Sequence, residues 1–118
     1  GGARVGILGL SFKENVADLR NSRVPDIITR LTECGIKALV HDPIANKEEA
    51  KRQYSIQLLQ LDSMRKLDGL VLAVPHDTYL STQGEPLFSF LKPDGILLDI
   101  KSALDPSQVP IGITYWSL

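Results

Sequence analysis

Gly69-Leu70-Val71-Leu72-Ala73-Val74 is a run of six residues with no charge and no polar alternation. A strand with one wet face alternates apolar and polar side chains; this one does not, so both of its faces are covered. Such a strand belongs at the centre of a parallel sheet with helices on either side. Working outward from it, Arg4 to Leu8 and Lys37 to His41 read as two further short strands, the second closed by Asp42-Pro43. Between them Val24, Ile27, Ile28 and Leu31 fall at helical spacing, with Ser22 as the cap, Pro25 in the first turn and Gly35 at the end. Asn46 caps a charged helix to about Tyr54, with Glu49 at the capping-box position. Ile56 to Leu58 reads as a short edge strand and Asp62 to Lys66 as a short helix. Beyond the central run, Thr78 to Leu80 and Glu85 to Leu91 read as helical, the latter with Leu87, Phe88 and Leu91 inward. Gly95 to Asp99 and Ile113 to Trp116 are the last strands. The whole predicts an α/β, Rossmann-like three-layer sandwich with a mostly parallel sheet of about five or six strands.

Bulk properties narrow the function. At 118 residues, 43% hydrophobic and 23% charged, the chain fits one domain with one core. Thirteen basic against fourteen acidic residues leave a net charge of −1, and no basic stripe is interleaved with aromatics, so no nucleic-acid partner is expected. No apolar run reaches membrane-spanning length and no signal-peptide layout is present, so no membrane partner is expected either. Cys34, the single cysteine, excludes an internal disulfide and fits a reducing cytoplasm. At the end of a helical pattern, far in sequence from both histidines, it reads as a small filler facing the core or a helix end. Gly1-Gly2 lacks an initiator Met and a strand follows at once, which predicts a piece of a longer protein with a possible cloning scar.

In an open parallel sheet, ligands bind outside the carboxyl ends of the strands. The residues just after each strand are Gly9 to Lys13, His41-Asp42, Pro75-His76 and Lys101-Ser102. Two lysines and a histidine on one edge point to an anionic ligand. The first turn, Gly6-x-x-Gly9, is not the G-x-G-x-x-G fingerprint that lets a helix N-terminus approach a pyrophosphate. In its place stands a long polar loop carrying Lys13 and Arg20. From spacing alone, Arg20 either reaches an anion as a bidentate fork or pairs with Asp18 or Glu14 to staple the loop. No metal-ligand spacing and no nucleophile-base arrangement is present, so no catalytic or metal-binding residue is assigned.

The loop itself narrows the reading. Gly9-Leu10-Ser11-Phe12-Lys13-Glu14-Asn15-Val16-Ala17-Asp18-Leu19-Arg20-Asn21-Ser22 meets every fixed position of G-L-x-F-K-x-x-x-x-D-x-R-x-S. This pattern resembles the motif opening the C-terminal domain of the UDP-glucose/GDP-mannose dehydrogenase family. The similarity continues through His41-Asp42-Pro43, Leu72-Ala73-Val74-Pro75-His76, Leu98-Asp99-Ile100-Lys101 and Tyr115-Trp116-Ser117-Leu118, and so covers essentially the whole chain. The sub-type most resembled is the UDP-N-acetylhexosamine 6-dehydrogenases of bacterial surface-polysaccharide pathways.

The resemblance implies that residues 1–118 are the UDP-binding, C-terminal part of an NAD-dependent enzyme. That enzyme would oxidise a sugar C6 alcohol to a carboxylate through a cysteine-bound thiohemiacetal and thioester. The fragment carries neither the NAD fingerprint nor the family's catalytic cysteine, and Cys34 does not match it, so alone it is expected to be inactive. By the same resemblance Lys13 contacts the UDP-sugar, the backbone around Phe12 lies against it, and Lys101 contacts it too. Ser102 follows where the family commonly has glycine. Arg20 reaches NAD bound mainly by the N-terminal domain. The implied partners are the UDP-sugar and the remaining domains of a cytoplasmic, homo-oligomeric parent. For Asp42 an Asp-Pro turn is expected; His76 is read as capping or fixing a loop, or as touching the ligand. Asp62 and Asp68 read as solvated, and Tyr115 and Trp116 as packing or inter-domain surface. The rivals are a free-standing regulatory nucleotide-binding module and a non-catalytic interaction domain.

Overall fold

A computed structural model describes residues 2–81 and 85–118. Five strands, β1 (Arg4–Leu8), β2 (Lys37–His41), β3 (Leu67–Leu72), β4 (Leu91–Asp99) and β5 (Thr114–Ser117), form one sheet in the order β2-β1-β3-β4-β5. Every pairing is parallel. The helices are α1 (Val24–Glu33), α2 (Lys47–Tyr54), α3 (Asp77–Leu80) and α4 (Glu85–Phe88). Alternate side chains of each central strand enter opposite layers. Ile7, Val40 and Val71 pack with Val24 of α1 and Ala50 of α2. Leu8, Leu39, Leu70, Leu72 and Leu97 pack with Tyr79 of α3 and Leu87 of α4. The central strands therefore need apolar residues at consecutive positions, as the run from Gly69 has.

The strand order reverses between β1 and β3, the point at which sheets of this kind hold ligands. Gly9 makes that point compact. Its φ is +98°, and a Cβ there would come within 2.5 Å of the Val74 Cβ and 2.7 Å of the Val74 nitrogen. The loop between β1 and α1 is stabilised within itself, Phe12 N–H donating to Asp18 O at 2.7 Å. Asn15 and Asn21 take left-handed backbone in it (φ 63° and 64°), a conformation asparagine adopts more readily than most residues.

Several boundaries differ from the expected ones for identifiable reasons. β3 ends at Leu72: Ala73 N–H makes the last ladder bond to Leu8 O, and Val74 N–H turns back to the same carbonyl, so the run leaves the sheet there. The expected helix to Leu91 stops at Phe88, and Leu91 instead opens β4 opposite Leu67. The register then jumps from Leu67↔Leu91 to Gly69↔Ile96, and the excursion holds Pro93, which has no N–H to give a ladder. Ile56 to Leu58 contributes a single bridge, Val40↔Leu58, rather than a sixth strand. The short helix expected from Asp62 is a 3-10 turn, Leu61–Ser63. Ser22 caps α1 as expected, its hydroxyl accepting from Val24 N–H and donating to Leu10 O, while Arg23 just before Val24 already has helical backbone. Cys34 sits at the C-terminal end of α1 and is exposed rather than turned inward. Asp68 is not merely solvated: it accepts from Arg4 N–H and from Lys92 Nζ, each at 2.8 Å. No helix among the described residues is long and apolar enough to cross a membrane.

Candidate functional site

At the strand-order reversal lies a cleft of about 400 Å³. The loop after β1 gives it Ser11, Phe12, Lys13 and Glu14; the start of α1 gives Asn21, Arg23, Val24 and Ile27. Ala73 and Val74 after β3, and Ile100 and Lys101 after β4, complete it. Lys13, Phe12 and Lys101, separated by up to 89 positions in sequence, thus line one cavity. Its floor is apolar, Phe12 is half exposed, and three cations stand against one carboxylate on the lining. Such a lining suits a flat or apolar group carrying negative charge.

The loop that carries Lys13 and Phe12 is held by a buried polar cluster. Asp42, at the end of β2, accepts Leu10 N–H (2.7 Å) and Ser11 N–H (3.0 Å) on one oxygen, and Ile44 and Ala45 N–H (2.8 and 2.9 Å) on the other. It therefore makes the expected Asp-Pro turn and also ties β2 to the loop after β1. Burial pushes its carboxyl up, but the hydrogen bonds from His76 and from these backbone groups outweigh that and hold it well below the usual carboxylate range.

His76 has no solvent exposure. Its Nδ1 accepts Asn15 N–H at 2.8 Å, which leaves the ring proton on Nε2, 3.0 Å from the same Asp42 oxygen and 3.1 Å from Ser11 Oγ. The imidazole is thus a neutral bridge between two loops. Of its readings, fixing a loop is the one its surroundings fit, and it is not on the cleft lining. Asn15 and Asp77 reinforce the link by reciprocal bonds of 3.1 and 2.9 Å. Beside them the Tyr79 hydroxyl donates to His41 O at 3.0 Å and lies 2.8 Å from His41 Nδ1. Burial first, then the Asp42 charge, raises the Tyr79 phenol above its ordinary range.

A matching device closes β4. Asp99, fully buried, accepts Ala103 N–H (3.0 Å), Leu104 N–H (2.8 Å) and the Tyr115 hydroxyl (2.7 Å), which sets the turn bearing Lys101. Burial and the hydrogen bond to Asp99 push the Tyr115 phenol up to about 12. Ser102 has φ +52°, left-handed backbone that explains why glycine suits this position; its hydroxyl donates to Leu118 O at 2.7 Å.

Arg20 stands apart. It is largely exposed, is not on the cleft lining, and forms a fork on Asp18 through Nε and a terminal nitrogen, both at 3.1 Å. Asp18 is one of the two partners that spacing alone offered. Trp116 is 62% exposed, whereas Tyr115 packs inward against Asp99. Sequence reasoning missed Asn21 and Arg23 because it inspected strand ends, and these two residues reach the cavity from the start of a helix.

Among the described residues the dinucleotide cradle of a standard Rossmann turn has no counterpart. Val24 N–H is taken by Ser22 Oγ, Pro25 has no N–H, and Asp26 N–H bonds Arg23 O. The residues present do not fit a complete NAD site. Among the described residues no cluster of metal-binding side chains occurs.

Comparison with known proteins agrees with this geometry. Residues 6–106 match the family described as "UDP-glucose/GDP-mannose dehydrogenase family, UDP binding domain". The chain is 36% identical over 117 residues to Protein CapL of Staphylococcus aureus, covering 99% of this chain and 27% of CapL. It is 39% identical over 107 residues to the UDP-N-acetyl-D-glucosamine 6-dehydrogenase of Pseudomonas aeruginosa, covering 91% of this chain and 25% of that protein. Its fold superposes with a TM-score of 0.84 on the NDP-N-acetyl-D-galactosaminuronic acid dehydrogenase of Methanosarcina mazei Go1, at 20% identity over 98% of this chain and 24% of that one. The chain spans about a quarter of the length of these relatives. It belongs to the UDP-glucose/GDP-mannose dehydrogenase family, as a UDP-binding domain closely related to the bacterial UDP-N-acetylhexosamine 6-dehydrogenases.

Proposed function

We propose that this chain is the C-terminal, UDP-sugar-binding domain of an NAD-dependent nucleotide-sugar 6-dehydrogenase that oxidises a sugar C6 alcohol to a carboxylate for surface-polysaccharide synthesis. The observation that carries the reading is the meeting of Lys13, Phe12 and Lys101 on one cleft at the strand-order reversal. Lys13 and Lys101 neutralise diphosphate charge, and Phe12 with the apolar floor receives the less polar part of the nucleotide-sugar.

The NAD fingerprint and the catalytic cysteine belong to the rest of the parent enzyme, a cytoplasmic homo-oligomer in this reading. Arg20, oriented by Asp18 and turned to solvent, faces the NAD held there. Ile96 and Trp116, 48% and 62% exposed, offer apolar surface to the same domains. This domain contributes binding and closure, which would keep water from a reactive thioester.

Calorimetric titration of the 118-residue chain with UDP tests the binding role. Micromolar to millimolar affinity is expected, weakened roughly tenfold or more by Lys13→Ala and by Lys101→Ala, each of which removes a charge-assisted contact. Equal affinity in both variants would remove the cleft from the account.

A further inference from the structure

The α1 N-terminus is built against one ordinary preference of helices. Ser22 caps the helix by accepting Val24 N–H, but the positive end of the helix dipole disfavours a cation beside it. Here Arg23 follows that cap at the helix start, with helical backbone (φ −95°, ψ −6°) and no side-chain cap bond. Its guanidinium has no hydrogen-bonding or ion-pairing partner among the described residues, although Asp26 lies one turn on. Arg20, three positions earlier, is engaged by Asp18. A cation set at this end of a helix with no anion of the fold paired with it is placed to take one from a ligand.

The cavity is the place for that ligand. Arg23 lines the same cleft as Lys13 and Lys101. A Rossmann-like domain ordinarily meets a phosphate with the N–H groups of its first helical turn. Here Val24 N–H is taken by Ser22 Oγ, Pro25 has none, and Asp26 N–H is taken by Arg23 O. Recognition at this end of the cleft must therefore come from a side chain, and Arg23 is the side chain with charge and donors to give. We propose that Arg23 is a third ligand-binding cation of the cleft, forking onto the phosphates of the bound nucleoside diphosphate. The assignment rests on the nucleotide-sugar reading above.

Arg23→Asn separates binding from folding, because asparagine cannot pair with phosphate and the Ser22 capping bond is kept. The variant is expected to melt within a few degrees of the parent chain. It should bind UDP roughly tenfold more weakly, bind UMP with a smaller loss, and leave uridine unaffected. Arg23→Lys should recover part of the loss, restoring charge without the fork. UDP affinity within twofold of the parent chain, or an equal loss for uridine, would overturn the assignment. Lys13→Ala runs alongside. If it weakens UDP and Arg23→Asn does not, only the Arg23 role falls; if the parent chain binds no UDP, the nucleotide reading falls and this role with it.

Discussion

His76 and Asp42 carry the tightest constraint on any side chain near the cleft. Removing the imidazole takes one donor from the buried Asp42 oxygen, which keeps Leu10 and Ser11 N–H, and leaves Asn15 N–H without its acceptor. His76→Ala should therefore cost about 2 kcal/mol in urea unfolding, from the lost bond to the buried Asp42 carboxylate and the cavity left by the ring. A loss below about 0.5 kcal/mol together with weakened UDP binding would make His76 a ligand contact instead. The ionised Asp42 also gives stability a pH dependence of definite sign. Its folded pKa lies below the ordinary 3.8, so its contribution is complete above that value and is lost as pH falls through the folded one. Asp42→Asn, unable to accept five bonds as a carboxylate does, should be less stable at pH 7 and show a flatter decline with acid below pH 4. At the other end of the scale, Tyr115 is raised from 10.0 to about 12. Its contribution is intact below pH 10 and lost as pH climbs toward 12, so Tyr115→Phe should differ from the parent chain less at pH 12 than at pH 8 in chemical unfolding.

At the scale of elements, apolar patterning and turn chemistry fixed most of the fold in advance. β1, β2 and α2 lie where apolar runs and the Asn46 cap put them, since each is bounded by local chemistry. The boundary between α4 and β4 was not legible: Leu87, Phe88 and Leu91 fit a helical face, while Leu91 is buried by pairing with distant Leu67. Glycines separate two kinds of turn. Gly9 needs both its positive φ and the missing Cβ, because Val74 lies within 2.5 Å of where one would stand. Gly35 needs only the φ of +77°, with nothing within 4 Å. Gly9→Ala should destabilise by more than about 3 kcal/mol and Gly35→Ala by about 1 kcal/mol in denaturant titrations. Similar losses in the two would show that the contact with Val74 relaxes freely.

For the whole molecule, the site was partly legible because one topological rule sends ligands to the carboxyl edge of a parallel sheet, and Lys13 and Lys101 follow strands. Arg23 was not, because its role depends on how α1 returns over that edge and on which backbone donors the first turn leaves free. The Asp42 and Asp99 clusters were invisible for a similar reason: each joins segments tens of residues apart or folds a loop back on its own strand end. The central claim is that these elements together form a nucleotide-binding edge. The most direct test is a UDP titration of the 15N-labelled chain followed by amide chemical shifts. The account predicts that the shifts concentrate at Phe12, Lys13, Arg23, Ala73 and Lys101 and leave the opposite sheet edge, Leu67 and Gly95, still. Shifts spread over the surface, or gathered at the amino edge of the sheet, would contradict it.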